Sequence, residues 1–151
     1  MRSLKLEISI SSQELQKYGF PFIENEIFSE SIWFIEEAFQ SAGINDHNYE
    51  FVVLEALKNA ADAILDIIYR SREIEHICGK IEMKCLFDHS RRSIHFIIKD
   101  NGAGIHASKT DVKSSGRYFW GQWVWEDGMR IVSKVYKRES TQQGSVVDLQ
   151  F

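Results

Sequence analysis

The sequence predicts an α+β domain in which helices cover one face of a β-sheet. Residues 4–10 alternate apolar and polar side chains, as a half-buried strand does. Residues 26–39 and 47–71 repeat apolar side chains at helical spacing, and residues 80–99 return to alternation in two runs. Because helices and strands are grouped along the chain, we expect a two-layer α/β sandwich with about three helices on a mixed, mostly antiparallel sheet.

The composition is that of one globular domain spanning residues 1–151. Hydrophobic residues make up 44% and charged residues 26%, with one proline, so long disordered linkers are not expected. A net charge of −4 and the lack of a sustained basic run argue against a nucleic-acid partner. Because we find no bilayer-length apolar run and no signal peptide, we expect a cytoplasmic protein with no membrane partner.

The cysteines and histidines do not form a recognisable metal motif. The spacing of Cys78 and Cys85 fits neither a zinc knuckle nor a redox pair. In a reducing compartment both are expected to be free thiols. The five histidines are scattered, and no two have the spacing of metal ligands on a helix, so a zinc site is not expected.

The first half of the chain alternates strong helical patterns with clear end signals. A short helix over residues 13–18 should be ended by the break at residues 19–21. The helix over 26–39 should end at Gly43, because glycine tolerates a left-handed cap. Asp46 is the expected N-cap of the long helix that follows.

The second half predicts a hairpin, an irregular segment, a helix and a last strand. Strands over 80–87 and 93–99 flank a short turn, and the more apolar second strand should lie more centrally. Residues 106–127 have no clean period and include an aromatic cluster. This cluster is most simply core under a loop, but it also suits a protein-binding patch or a ring in a ligand pocket. A helix over 128–136 and a strand over 144–151 should complete the fold.

Two stretches carry candidate chemistry. On the long helix, Glu55, Asn59 and Asp62 fall on one narrow polar line. An amide oxygen there suits magnesium bound with phosphates, and a neighbouring carboxylate can activate a hydroxyl or water. In the turn Asp100-Asn-Gly-Ala-Gly-Ile105, a carboxylate can accept a hydrogen bond from an adenine amino group. Taken alone, the first stretch is more simply a solvated helix face, whereas the second is equally well an ordinary turn after a strand or a ligand-binding turn.

Together the two stretches resemble sequence boxes of the GHKL superfamily of ATP-binding domains. The segment from Glu55 to Ala63 looks like the family's N-box, and the turn from Asp100 to Ile105 looks like its first glycine box. Gly128 lies where a second glycine box is expected, and Ser145 begins a strand similar to the family's last one. The resemblance covers nearly the whole chain and implies a Bergerat-type fold with ATP and Mg²⁺ as cofactors.

The resemblance implies a role for each matched residue. Glu55 would be the catalytic general base or water-positioning residue, and Asn59 the ligand of Mg²⁺. Asp100 would bind the adenine amino group. Asp62 matches only some branches of the family, and a structural role for it stays open. The other residues implied to contact the nucleotide, or to support its binding, are Gly102, Gly104, Ile105, Gly128 and Ser145.

The segment that should close over the phosphates departs from the family pattern. The family usually has a Gly-x-Gly sequence there, whose backbone N–H groups hold phosphate at a helix N-terminus. This chain has Trp125-Glu126-Asp127-Gly128, with one glycine and two acids. The acids would repel a triphosphate unless magnesium or a lysine intervenes, so the resemblance implies a remodelled lid.

In size and layout the chain is most similar to the stand-alone bacterial anti-sigma factor serine/threonine kinases. That resemblance implies an ATP-dependent kinase that transfers the γ-phosphate to a Ser or Thr of a small antagonist protein. It also implies sequestration of a sigma factor and allows a homodimer. Two alternatives remain: a non-catalytic protein-binding module with a degenerate lid, and a GHKL ATPase or histidine-kinase-like domain acting with separate chains.

Overall fold

A five-stranded sheet forms one layer of the computed structural model, which describes residues 2–70, 78–102, 135–141 and 144–151. The strands are β1 (Arg2–Ser11), β2 (Cys78–Asp88), β3 (Ser93–Asp100), β4 (Val135–Thr141) and β5 (Gly144–Gln150). Their order across the sheet is β1-β2-β3-β5-β4, and every neighbouring pair is antiparallel. The apolar strand β3 is therefore central, as its sequence predicts.

Three helices form the second layer. They are α1 (Ser12–Tyr18), α2 (Phe20–Ser41) and α3 (His47–Arg70). α2 contacts β1 and β2, and α3 contacts β2, β3 and β5. The predicted α+β two-layer sandwich is confirmed, although the described part of the sheet contains only antiparallel pairs and is not mixed.

The core lies between α2, α3 and the covered face of the sheet. Strand alternation places Ile81, Met83 and Cys85 of β2 in this core, because successive side chains point to opposite faces. An aromatic group joins the layers: the ring of Phe39 on α2 lies 5.3 Å from that of Phe96 and 5.6 Å from that of Phe151, measured between ring centroids. Tilted and edge-on pairs at this distance are favourable arrangements of aromatic rings.

The predicted start of the second helix is wrong. α2 begins at Phe20 and not at Glu26, so the break after α1 consists of Gly19 alone, with a φ of 80°. Pro21 lies in the first turn of α2. A helix tolerates proline there because the first N–H groups have no partner within the helix and the fixed φ is already helical.

The predicted caps around α3 are confirmed. Gly43 follows α2 with a φ of 70°, in the left-handed region. Asp46 precedes α3, and its Oδ1 accepts a hydrogen bond from the N–H of Asn48 at 2.9 Å. This contact satisfies one of the free N–H groups of the first helical turn.

The predicted helix over 128–136 is wrong at its C-terminal end, where the structure has a strand. Residues 135 and 136 belong to β4, while residues 128–134 lie outside the described residues. In the described sheet, β4 pairs with β5 alone and forms an edge. Its sequence carries Lys137, Arg138 and Glu139, and charge is common on exposed edge strands. Pairing with β5 therefore determines that this segment is a strand, although its local sequence pattern is weak.

The hairpin between β2 and β3 forms where the sequence predicts a turn. Asp88 organises it: its Oδ1 accepts hydrogen bonds from the Ser90 hydroxyl at 2.6 Å and from the Arg91 N–H at 3.3 Å. These bonds, the hydroxyl first, hold the pKa of the Asp88 carboxyl below its usual value. Arg92 adopts a φ of 47° to complete the reversal.

Candidate functional site

The long helix α3 carries the first predicted stretch on its outer side. Glu55, Asn59 and Asp62 are each half-buried, while the opposite side of the helix packs into the core through Leu57 and Ile64. Since α3 is helical without interruption across these positions, their spacing places them on one line. The predicted polar line therefore exists, at the margin of the covered layer.

The second predicted stretch begins at the last residue of β3. The Gly102 N–H donates a hydrogen bond to Asp100 Oδ1 at 2.9 Å, so the carboxylate is oriented by the backbone of its own turn. The intervening Asn101 extends the sheet: its Oδ1 accepts from the Lys80 N–H at 2.7 Å, and its N–H donates to the Lys80 carbonyl at 3.3 Å. Asn101 is a structural residue that sequence reasoning did not single out.

The two stretches meet where Gly102 packs on α3. A Cβ atom added to Gly102 would lie 2.8 Å from both the carbonyl carbon and the Cβ of Ala63. Real Cβ atoms do not approach that closely, so only glycine lets the turn lie on the helix here. Ala63 is four residues beyond Asn59 and therefore neighbours it on the helix surface. The Asp100 turn thus covers α3 one helical turn beyond Asn59.

Strand β5 supports the same turn from the other side. Ser145 is directly opposite Asp100 in the β3–β5 ladder and is buried. Facing residues of an antiparallel pair point to the same side of a sheet, so the predicted supporting serine shares a face with Asp100. Gly144 has a φ of 139°, and a Cβ there would lie 1.9 Å from the Asp100 carbonyl oxygen. Sequence reasoning missed this glycine, although its place before Ser145 was a signal.

Asn59 has the most unusual surroundings of the predicted residues. Its Nδ2 is buried and has no hydrogen-bond partner within the described residues. A buried donor without a partner costs about 1–3 kcal/mol, so such a group calls for an explanation, and a bound ligand is one. Rotating the amide by 180° exchanges its oxygen and nitrogen, so the position can offer a donor or an acceptor.

The chemistry of Asn59 fits a magnesium ion that arrives with a phosphate ligand. The described residues include no group of three or more His, Cys, Asp or Glu that could hold a metal ion. A protein cage for a cation is therefore not present in this part of the chain. Magnesium commonly takes one or two protein oxygens and completes its octahedron with water and phosphate oxygens. A single amide oxygen such as that of Asn59 is compatible with that pattern.

Asp62 belongs to a different neighbourhood from Asn59. Together with Lys58 and Glu24 it lines a small cavity of about 20 Å³ between α2 and α3. The cavity floor is apolar and includes Ile27 and Leu65. This position favours the structural interpretation of Asp62 that its sequence left open.

Three predicted site residues lie outside the described residues: Gly104, Ile105 and Gly128. The segment 106–127, predicted to close over the phosphates, lies outside them as well. The described part of the site is thus one wall, built from the outer side of α3, the end of β3 and the start of β5. In this wall Gly102 and Ser145 lie beside Asp100, while Asn59 and Glu55 lie on α3 about one and two helical turns before Ala63.

The cysteines do not contribute a nucleophile to this wall. Both are free thiols, as predicted, with Cys78 exposed and Cys85 buried. Burial raises the pKa of the Cys85 thiol to about 12. Because the thiolate is the reactive form, Cys85 is inert at neutral pH.

Sequence comparison with known proteins gives no information about the function of this chain. No protein-family model matches the chain, and no curated protein matches it in sequence. Among the helices that the structure describes, none is long and apolar enough to cross a membrane. The contact between the Asp100 turn and α3 is therefore the observation that bears most directly on function.

Proposed function

We propose that this chain is a GHKL-type regulatory protein that binds ATP with Mg²⁺ and transfers the γ-phosphate to a Ser or Thr of a small partner protein. The packing of Gly102 on Ala63 carries the proposal, because it brings the Asp100 turn beside the helix face of Asn59. A nucleotide needs groups for its base and for its phosphates at a fixed separation. Two elements locked together by a glycine contact would hold such groups at a constant distance.

Asp100 is the proposed adenine-binding residue. The Gly102 N–H fixes its carboxylate, and Ser145 lies opposite it in the ladder. A carboxylate accepts a hydrogen bond from the exocyclic amino group of adenine. Guanine presents a carbonyl oxygen at the same position, which would face the carboxylate with no proton between them. The site should therefore prefer ATP to GTP.

Asn59 and Glu55 are proposed to act at the phosphate end. The Asn59 amide offers its oxygen to Mg²⁺ or its buried Nδ2 to a phosphate oxygen. When bound, Mg²⁺ supplies neutralisation of phosphate charge. Glu55 lies one helical turn before Asn59 and is half-buried. Its carboxylate is the proposed base that takes the proton from the partner's hydroxyl.

The proposed partner is a small regulatory protein, either an antagonist of an anti-sigma factor or a sigma factor itself. Signal transduction of this type places the chain in a bacterial cytoplasm, where ATP and Mg²⁺ are available. The net charge of −4 supports neither nucleic acid nor an anionic membrane surface as the partner. A homodimer is compatible with the proposal.

Calorimetric titration with ATP, with and without Mg²⁺, tests the binding step. Wild type should bind ATP only with Mg²⁺ and should bind GTP more weakly. Asp100→Asn should weaken ATP binding about 10–100-fold, since a hydrogen bond to a charged group contributes about 1.5–3 kcal/mol. Asp46→Asn is the matched control: it removes a carboxylate outside the site, and asparagine still caps α3. Its affinity should equal that of wild type.

The outcomes separate the candidate functions. If wild type does not bind Mg-ATP, the kinase and ATPase proposals both fail. Binding without any turnover favours the non-catalytic protein-binding module. Turnover that releases phosphate into water, with or without a partner, favours the ATPase alternative. In the proposed kinase, Glu55→Ala abolishes phosphate transfer and leaves ATP affinity within about twofold, because Glu55 acts only in the transition state.

A further inference from the structure

The outer surface of α2 exposes large apolar side chains beside α3. Trp33 is 67% exposed and Ile32 is 42% exposed, and Phe51 of α3 is 51% exposed. Single exposed apolar residues are ordinary, but a cluster of them indicates an interaction surface. We call Ile32, Trp33, Phe51 and the groove beside them the α2 patch.

The groove in the α2 patch has apolar walls bordered by the polar side chains of Glu36, His47 and Glu50. It has a volume of about 200 Å³, with buried Ile35 and half-buried Leu54 among its lining residues and Ile32 and Phe51 beside them. Small-molecule pockets usually measure roughly 300–1,000 Å³ and enclose most of their ligand. This groove is smaller and lies between two helices, which is the setting for an anchor residue of an amphipathic helix.

The charge around the α2 patch indicates which charges the partner's helix should carry. α2 contains five glutamates and no lysine or arginine: Glu24, Glu26, Glu30, Glu36 and Glu37. Within the described ranges, none of the five has an ion-pair partner. Three of them neighbour Trp33 on the helix surface, at positions −3, +3 and +4 relative to it.

We infer that the α2 patch binds a protein partner through an amphipathic helix with an apolar anchor and flanking Lys or Arg residues. The anchor enters the groove beside Ile32 and Phe51, and the cations meet the glutamates. A guanidinium or ammonium group over the Trp33 indole gains a cation–π contact in addition. The inference does not depend on ATP binding, because none of the residues that carry it is a proposed nucleotide-binding residue.

A second copy of the chain is a poor occupant of the α2 patch. Apposing two such surfaces would bring glutamates of both copies together, and like charges at a contact are unfavourable. An anionic lipid surface would be repelled for the same reason. A cationic helix is the occupant that the charge favours, and its association should weaken as salt increases.

Selection from a display library of helical peptides, with the whole chain as the target, tests the inference. Selected peptides should carry one or two large apolar residues flanked by Lys or Arg. Trp33→Ala should weaken binding of a selected peptide about 10–30-fold, the usual loss at an interface anchor. Phe22→Ala is the matched control, because Phe22 is an exposed aromatic on the same helix that stacks on Tyr18 outside the groove. It should change the affinity less than about twofold.

Charge reversal gives a second, independent measurement. Glu36→Lys borders the groove and should weaken peptide binding at least about fivefold, whereas Glu26→Lys, farther along α2, should have a smaller effect. Equal loss in Trp33→Ala and Phe22→Ala, or selected peptides without cations, would overturn the inference. A wild-type dimer that Trp33→Ala dissociates in sedimentation would overturn it in favour of self-association. Vesicle binding that Trp33→Ala abolishes would overturn it in favour of a membrane.

Discussion

α2 and α3 lie side by side in one layer and both expose a large apolar side chain, yet only α3 buries a polar group that has no partner among the described residues. α2 leaves an indole, that of Trp33, in water. α3 buries an amide nitrogen, that of Asn59, without a partner in the described structure. Apolar groups normally lie inside and buried polar groups are normally hydrogen-bonded, so each arrangement has an energetic cost.

The difference between the helices separates the residues that the fold needs from those that it does not need. Both helices direct a continuous apolar face towards the sheet, and those faces meet the ordinary demands of a core. Trp33 lies on the outer side of α2, where packing does not dictate the side chain, whereas Asn59 lies at the margin of the packed face of α3, one helical turn before Ala63. Local conflicts of this kind are expected at functional sites. We therefore propose ligand binding at the Asn59 side of α3 and partner binding at the α2 patch, which includes Phe51 of α3.

The largest expected effects come from the buried faces, where the helices should be alike. Phe39→Ala on α2 should lower the free energy of unfolding by about 3–5 kcal/mol, and Leu57→Ala on α3 by about 2–5 kcal/mol. Both side chains are fully buried, and each truncation leaves a cavity. Urea denaturation followed by circular dichroism measures both values. A loss below about 1 kcal/mol for either variant would show that its helix is not part of the shared core.

A smaller effect of opposite sign is expected at Asn59. Asn59→Leu replaces a buried donor that lacks a partner with an apolar group of similar size, so the ligand-free chain should become more stable by about 1 kcal/mol. The same change should abolish any stabilisation by Mg-ATP, measured as a shift in Tm. A gain in stability with loss of ligand response is the signature of a residue retained for binding.

The control for Asn59→Leu is Asn25→Leu on α2. Asn25 is exposed, so this substitution should change stability by less than about 0.5 kcal/mol and leave the response to Mg-ATP intact. If Asn59→Leu instead destabilises the ligand-free chain by 1 kcal/mol or more, on the order of a lost hydrogen bond, Asn59 has a structural partner. The contrast between the two helices would then disappear.

Periodicity predicted most of the buried faces, because burial of an apolar stripe depends on residues close together in sequence. Ile32 is an exception: it has the spacing of the α2 stripe but is 42% exposed. The order of the predicted elements and the central place of β3 follow from the same local patterns. The start of α2 does not follow from these patterns. Pro21 indicates a helix break by its sequence, but the first turn of a helix accepts proline. Strand β4 was missed because its pairing with β5, and not its own sequence, specifies it.

The candidate site depends on a contact that local sequence patterns do not specify. Those patterns pointed to Asn59 and Asp100 separately, and the resemblance to the GHKL boxes predicted that they form one site. Their proximity depends on the contact between Gly102 and Ala63, which joins residues far apart in the chain. No local pattern specifies such a contact. The α2 patch was missed for another reason: helical spacing puts Ile32 on the apolar stripe of α2, and the local pattern does not show that this side chain stays 42% exposed.

The smallest expected effect on stability is that of Trp33→Ala, and its neighbour in sequence provides the contrast. Trp33 is exposed and Phe34 is buried, although they are adjacent on α2. Trp33→Ala should change the free energy of unfolding by less than about 0.5 kcal/mol, whereas Phe34→Ala should lower it by about 3–5 kcal/mol. Urea titration of both variants at one pH checks this. Because tryptophan is the larger side chain, residue size alone would predict the reverse order. A large loss of unfolding free energy in Trp33→Ala would mean that the indole stabilises the fold and is not exposed for binding a partner.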